Sequence, residues 1–383
     1  MEIQLQNRTF FPSIGGVEQY LESVGKVLEG RGHQIKVLCS NHSRNLPKKE
    51  THNNFNILRH TPYLPLPSYR LRKLEHFISL NSSKTELVIS RHPYYCLAST
   101  NVLNVPVLFV LAAAWPTIMS YALRGQATKH FAYKLLLQKK EYQIEREAII
   151  RSTQPVVLSR MRARELAEYY KLSLSRFKVI PPGVDLDRFK PRRRDEKLIE
   201  SLNLPFKAKV VLFVGRLSAE KNVPNLLEAF KQTKHQQAYL LIAGDGPQAG
   251  ELKRMAEKLN ISDRVRFAGW REDVERLYSI SDLLALPSIY EGFGHVYLEA
   301  MACGLPCIGI KPDYPSVKVA TEEIISNGRD GFIVPNFVSE IAEKMDILLL
   351  NEEIRKEMGE SAREKAEYYT WEKHVDKLLE NFI

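Results

Sequence analysis

With 383 residues, 26% of them charged and 44% hydrophobic, the chain has the composition of an ordinary globular protein and the length of two domains. Its four cysteines (Cys39, Cys96, Cys303, Cys307) lack disulfide-framework spacing, and its longest apolar run, Val107 to Trp115, is far short of the roughly 18–20 residues that span a bilayer. A cytoplasmic protein with reduced cysteines, no signal peptide and at most peripheral membrane contact is therefore expected. The net charge of +10 is uneven: residues 1–190 hold 28 Lys+Arg against 14 Asp+Glu, and residues 191–383 hold 27 against 31. Halves of +14 and −4 imply two domains with different partners, the basic one suited to an anionic membrane, nucleic acid or an acidic substrate.

In chain order, Glu2–Gln6 reads as a strand, followed by the loop Phe11-Pro-Ser-Ile-Gly15-Gly16-Val-Glu18 and a helix over about 17–29, with Tyr20, Leu21, Val24, Val27 and Leu28 on one face. Gln34 to Cys39 is the next strand. This βαβ opening carries a glycine pair but not G-x-G-x-x-G, so Gly15 and Gly16 serve either a tight turn or a ligand. Further strands are expected at 55–58, 86–89, 105–111, 156–158 and 177–180, with helices between most of them. Such alternation implies an α/β fold with mainly parallel sheets covered on both faces. Two segments, Tyr69 to Phe77 and Arg124 to Arg151, interleave Lys and Arg with aromatic and apolar residues; they read as solvated basic faces or as lipid-surface helices. Pro181 to Asp195 is rich in proline and charge and reads as the linker. Its Asp185-x-Asp187 pair suits a turn or cap rather than a metal.

A second alternation then begins: strands at 209–214, 238–243, 265–268, 283–286, 306–310 and 331–334, with helices reaching Gln232, over 248–259 and 274–279, and closing the chain at about 338–349, 353–368 and 371–382. The most informative stretch is Asp282 to Cys307, which reads as strand, glycine loop and helix. Gly292 and Gly294 allow a sharp turn, and the helix they open offers unpaired N–H groups and a positive dipole end to a phosphate. Glu291 before that helix and Glu299 within it can accept hydrogen bonds from sugar hydroxyls. Arg216 and Lys221 share the first loop after a strand of this half. Two fixed cations there can neutralise a pyrophosphate and stabilise the charge that develops on a departing nucleotide diphosphate.

Five motifs, Gly15-Gly16-Val17-Glu18, Ile180-Pro-Pro-Gly-Val-Asp-Leu-Asp-Arg-Phe189, Val214-Gly-Arg-Leu-Ser-Ala-Glu-Lys221-Asn, Ile242-Ala-Gly-Asp-Gly-Pro247 and Glu291-x7-Glu299, make the chain resemble the family 4 retaining glycosyltransferases of GT-B type. The resemblance covers nearly the whole chain in the right order. It implies two Rossmann-like domains facing across a cleft: 1–190 on the acceptor side, 191–367 holding the donor, and a last helix, about 368–383, crossing back to the first. It implies a UDP- or GDP-sugar as donor, a glycan, lipid-linked or small-molecule acceptor, retention of configuration, and no required cofactor or metal. Nucleic acid is not an expected partner.

Residue by residue, the resemblance implies that Arg216 and Lys221 hold the donor pyrophosphate, Glu291 the sugar hydroxyls and Glu299 the ribose. Gly292, Phe293, Gly294 and His295 lie against sugar and phosphate, and Gly15 and Gly16 approach from the opposing domain. The chain departs from the pattern at Ala112-Ala-Ala-Trp115-Pro116, where many relatives carry a histidine. His92, after the preceding strand, either takes that place toward sugar or acceptor, or is an ordinary surface or packed histidine. His295, where an apolar or small residue is commoner, either adds a donor near the phosphates or caps the helix start. Two rival readings are a non-catalytic nucleotide-sugar-binding subunit and a pyridoxal-phosphate sugar phosphorylase; the latter needs a Schiff-base lysine and a longer chain.

Overall fold

The structure, a computed structural model, describes residues 1–13, 15–41, 46–61, 67–111 and 131–382, and the side chains of all of these but 131–137. The Ala112–Pro116 stretch and the start of the second basic segment lie outside the described residues.

The apolar runs form strands, and two sheets result. The first contains β1 (Glu2–Gln6), β2 (Gln34–Ser40), β3 (Lys49–His52), β4 (Phe55–His60), β5 (Thr85–Ser90), β6 (Val107–Leu111), β7 (Gln154–Val157) and β8 (Lys178–Val179), in the order β3-β4-β2-β1-β5-β6-β7-β8. Every neighbouring pair is parallel except β3–β4. Lys49-Glu-Thr-His52 has no apolar residue and gives no strand signal of its own. It becomes a strand because Asn53 and Asn54, with φ of 49° and 62°, turn the chain back onto β4. β6 is buried at all five positions, as a strand covered on both faces must be.

The second sheet contains β9 (Lys209–Val214), β10 (Ala238–Ala243), β11 (Val265–Gly269), β12 (Leu283–Leu286), β13 (Cys307–Ile310) and β14 (Gly331–Val334), all parallel, in the order β11-β10-β9-β12-β13-β14. In each sheet the first strand is central, and the chain builds outward from it in both directions. Strand order therefore reverses between β1 and β5 and again between β9 and β12. Crevices outside the carboxyl ends of strands at such reversals are where open α/β sheets bind ligands.

The described residues divide into two compact units, 1–182 with 371–383, and 183–370. The first boundary falls eight residues before the expected 190, because 183–190 packs within the second unit. Val184 bridges Thr370, Arg188 pairs with Glu275 at 2.8 Å, and Phe189 meets the Tyr278 ring edge-on. The helix Trp371–Leu379 belongs to the first unit. Its His374 Nδ1 donates to the Pro181 carbonyl at 2.7 Å, so Nε2 accepts from Tyr20 Oη at 2.6 Å, and Arg31 pairs with Asp376 at 2.7 Å.

Candidate functional site

In the second unit, the loops after β9, β10 and β11 are pressed together by backbone bonds. Gly215 N–H donates to Ala243 at 3.0 Å, Leu217 N–H to Asp245 at 2.9 Å, and Gly244 N–H to Gly269 at 2.7 Å. The contact is close enough to demand glycine. A Cβ on Gly244, whose φ is 138°, would stand 1.9 Å from the Gly215 oxygen, and one on Gly246 would stand 2.4 Å from the Leu217 oxygen. Arg216 and Lys221 are thus carried by a braced loop at the carboxyl edge. Arg216 is exposed, and among the described residues no carboxylate pairs with it.

Lys221 is paired. Its Nζ meets Glu291 Oε1, which also accepts from Ser288 Oγ at 3.2 Å. Glu291 follows β12, the neighbour of β9, so the pair closes over the reversal point. Backbone bonds fix its loop from both sides: Ile289 N–H donates to Glu220 at 2.9 Å, Lys318 N–H to Ile289 at 2.8 Å, and Glu291 N–H to Lys318 at 3.1 Å.

The chain then turns through Gly292, buried Phe293 and Gly294. With φ of 96°, Gly294 stands before the helix His295–Ala302, which no side chain caps. A Cβ there would meet the Tyr297 ring at 2.8 Å. His295 opens the helix, its ring edge-on to Phe293. Glu299, one turn further on, accepts from Tyr278 Oη at 2.8 Å. Burial pushes the Glu299 carboxyl up, while the Tyr278 hydroxyl and Arg188 draw it down.

In the first unit, Gly15 and Gly16 follow β1 and open the helix Gly16–Gly30. The extended backbone of Gly15 would suit any residue, but a Cβ there would lie 2.7 Å from Glu18 Oε2; one on Gly16 would meet nothing within 4 Å. Glu18 is held by the Thr9 hydroxyl and, at 3.4 Å, by Asn7 Nδ2. After β5 comes Arg91, buried, with its guanidinium 4.2 Å from the centre of the Tyr20 ring. His92 is the N-cap of the helix Pro93–Val102, its Nδ1 accepting from Tyr94 N–H at 3.3 Å. Burial, aided by the Arg8 and Arg70 charges, pushes its pKa down to about 3.

Among the described residues no three His, Cys, Asp or Glu side chains gather as a metal site. Asp185 closes a turn, its Oδ1 accepting from the N–H groups of Asp187 and Arg188. Motif reading missed Tyr278 and Ser288 because their partner glutamates identify them only in three dimensions. The one available signal was an apolar-face tyrosine with a hydroxyl to satisfy.

The profile of glycosyltransferase family 4 matches residues 14–188, and that of the glycosyl transferases group 1 matches 194–365, together taking in both units. The chain belongs to this glycosyltransferase family. D-inositol 3-phosphate glycosyltransferase of Corynebacterium jeikeium is 34% identical over 237 residues, 58% of this chain and 55% of that protein. N-acetyl-alpha-D-glucosaminyl L-malate synthase of Bacillus anthracis is 36% identical over 172 residues, 44% of each. The chain thus spans about half the length of the curated relatives it matches. Among solved structures, Anabaena HepE in complex with UDP and glucose superposes with a TM-score of 0.80 over 99% of this chain and 98% of that one, at 19% identity. This likeness places the fold in the GT-B class of two Rossmann-like domains.

Proposed function

We propose that the protein is a retaining glycosyltransferase that moves a sugar from a nucleotide-diphosphate sugar to an acceptor held by its basic first unit. The observation that carries this reading is the Lys221–Glu291 pair, closed over the β9/β12 reversal, with Arg216 exposed on the same loop as Lys221. Arg216 and Lys221 would take the diphosphate, the first as a fork and the second as a point charge. Glu291, released by Lys221, would accept from sugar hydroxyls, and the uncapped helix start at Gly294 would add amide donors.

In the transfer, the bond between the sugar C1 and the β-phosphate oxygen breaks and a bond from C1 to the acceptor oxygen forms on the same face. The acceptor's proton passes to the departing phosphate oxygen, so no protein nucleophile and no metal is required. The protein's contribution is to hold that charge in place. Glu291→Ala, Arg216→Ala and Lys221→Ala should each abolish transfer with an unchanged circular dichroism spectrum; full activity in these variants would refute the assignment.

The acceptor we favour carries an anionic group. The first half has a balance of +14, and the two relatives are named for a phosphorylated inositol and for malate. A peripheral contact with anionic lipid would use the same charge, for instance through exposed Tyr69, Arg72 and Lys73 on the helix Pro67–Asn81. Among the described residues no helix is long and apolar enough to cross a membrane. Flotation on vesicles with and without phosphatidylglycerol separates the two: lipid-dependent flotation argues for the surface, its absence for an acceptor alone. A non-catalytic donor-binding subunit is the alternative, and donor hydrolysis or transfer by the pure chain excludes it.

A further inference from the structure

The segment 183–190, which reads as linker, is built into the surroundings of Glu299. Arg188 and Phe189 grip two consecutive turns of one short helix, Val274–Ser279. Arg188 Nε donates to Glu275 Oε2 at 2.9 Å, and its Nη2 donates to the Glu272 carbonyl. Phe189 packs edge-on against Tyr278, with ring centres 5.9 Å apart. Arg276 of the same helix is tied to Asp195 at 2.7 Å. Arg363 Nη1 donates both to the Phe189 carbonyl at 3.1 Å and to that of Ala302, the last residue of the Glu299 helix, at 2.7 Å. The helix thus clamped has one polar contact toward Glu299, the Tyr278 hydroxyl.

We propose that Tyr278 and Arg188 are positioning residues for Glu299, aiming its carboxylate at the nucleotide ribose, and that residues 185–189 are part of the donor site. This inference rests on the reading that Glu299 receives the ribose hydroxyls. A buried carboxylate acts as an acceptor only if it is both aimed and ionised. Tyr278 supplies the aim, since a buried hydroxyl with one good acceptor fixes that acceptor's rotamer. Arg188 supplies charge balance: it pairs at 2.8 Å with Glu275, one turn before Tyr278, whose hydroxyl meets Glu299. Glu275 opposes ionisation of Glu299 and Arg188 favours it. Arg192 and Arg363 bring further positive charge to this neighbourhood, and the thiols packed here are Cys303, which burial pushes up to about 12, and Cys307, which burial also raises. Both remain neutral thiols at ordinary pH.

The sign of the pH effect follows. Ribose binding needs ionised Glu299, so nucleotide affinity is full above the Glu299 pKa and falls as pH drops through it. Loss of either favourable partner moves that fall to higher pH; loss of Glu275 moves it to lower pH. A residue that merely kept the fold together would weaken binding at every pH without moving the midpoint.

The test uses the full chain and whichever of UDP, GDP or ADP binds most tightly, together with its 2′,3′-dideoxy counterpart, titrated calorimetrically from pH 5 to 8. Wild type should prefer the ribonucleotide by roughly tenfold or more. Tyr278→Phe should lose most of that preference and shift its midpoint upward. Arg188→Gln should also shift it upward, Arg188→Lys should restore it, and Glu275→Gln should shift it downward. The Arg188→Gln, Glu275→Gln double variant should return near the wild-type midpoint. If wild type prefers the ribonucleotide but all midpoints coincide, the positioning roles are wrong. If no nucleotide binds, or the dideoxy form binds equally well, the Glu299 reading itself fails and takes this inference with it.

Discussion

Each unit reverses its strand order beside a central first strand, and the two furnish their reversal points differently. In the second unit, apolar strands end in loops that present charged side chains: Arg216, Lys221, Glu291 and, a turn deeper, Glu299. In the first, polarity lies inside the central strand itself. Gln4 and Gln6 of β1 are fully buried, Gln6 Nε2 donating to Gln4 Oε1 at 2.6 Å and to Ser99 Oγ at 2.8 Å, and Gln4 Nε2 to Ser82 Oγ at 2.9 Å. Its reversal point offers glycine backbone, a stacked arginine and a capping histidine. One unit keeps fixed charges at its edge. The other spends its polar groups on its own interior, where a satisfied network specifies the packing.

The comparison breaks most sharply at the charged edge. Lys221→Ala, Glu291→Ala or Arg216→Ala should lower kcat by at least 10²–10³-fold, about 3–4 kcal/mol, as removal of a preorganised charge-stabilising group does. The melting temperature should change little for Arg216→Ala, whose side chain is exposed, and should fall for Lys221→Ala and Glu291→Ala, which leave a largely buried partner unpaired. Steady-state kinetics beside thermal melts separates the two effects.

Glycine substitutions sharpen the contrast, because the two units need glycine for different reasons. Gly244→Ala would push a methyl into the Gly215 carbonyl at a positive φ, and should destabilise the second unit by about 3 kcal/mol or more, measured by urea unfolding. Gly16→Ala meets open space at a helix start and should leave stability within about 0.5 kcal/mol. Its turnover should nevertheless fall at least tenfold if a ligand approaches that backbone; unchanged turnover would make Gly16 a turn residue only.

The smallest effect concerns His92. Its folded pKa lies below the ordinary value near 6.5, so the unfolded chain binds its proton first. Stability is therefore full above about pH 6.5 and is lost as pH falls toward 3. His92→Asn keeps a good N-cap and removes the titration. Its stability at pH 5 relative to pH 8 should exceed that of wild type by about 1–2 kcal/mol, a linkage estimate reduced for partial exposure. Identical pH profiles would show that the ring is not held neutral.

Much of this was legible in the chain. β1 stands where its alternation places it, and β9, β10, β12 and β14 where their apolar runs do, because runs of four to six residues bounded by turn residues are too short for most helices. β3 was not, because its reason for being a strand is the Asn53-Asn54 turn and its partner, not its own residues. The boundary near 183 was misjudged for a related reason: Pro181 and Pro182 punctuate the chain, but the packing of Phe189 and the pairing of Arg188 decide which unit owns the following residues. Lys221 and Glu291 are 70 positions apart, and only a motif could suggest that they meet. Tyr278 carried no motif and stayed hidden.

The most direct test of the account is nucleotide binding at the β9/β12 edge, followed by thermal shift on wild type, Arg216→Ala and Lys221→Ala with UDP, GDP and ADP. One nucleotide diphosphate at a hundred times its Kd should stabilise wild type by ~2.7 kcal/mol, and the same concentration should stabilise the two variants far less. Equal shifts in all three proteins, or none in any well-folded sample, would contradict the assignment of this edge as the donor site.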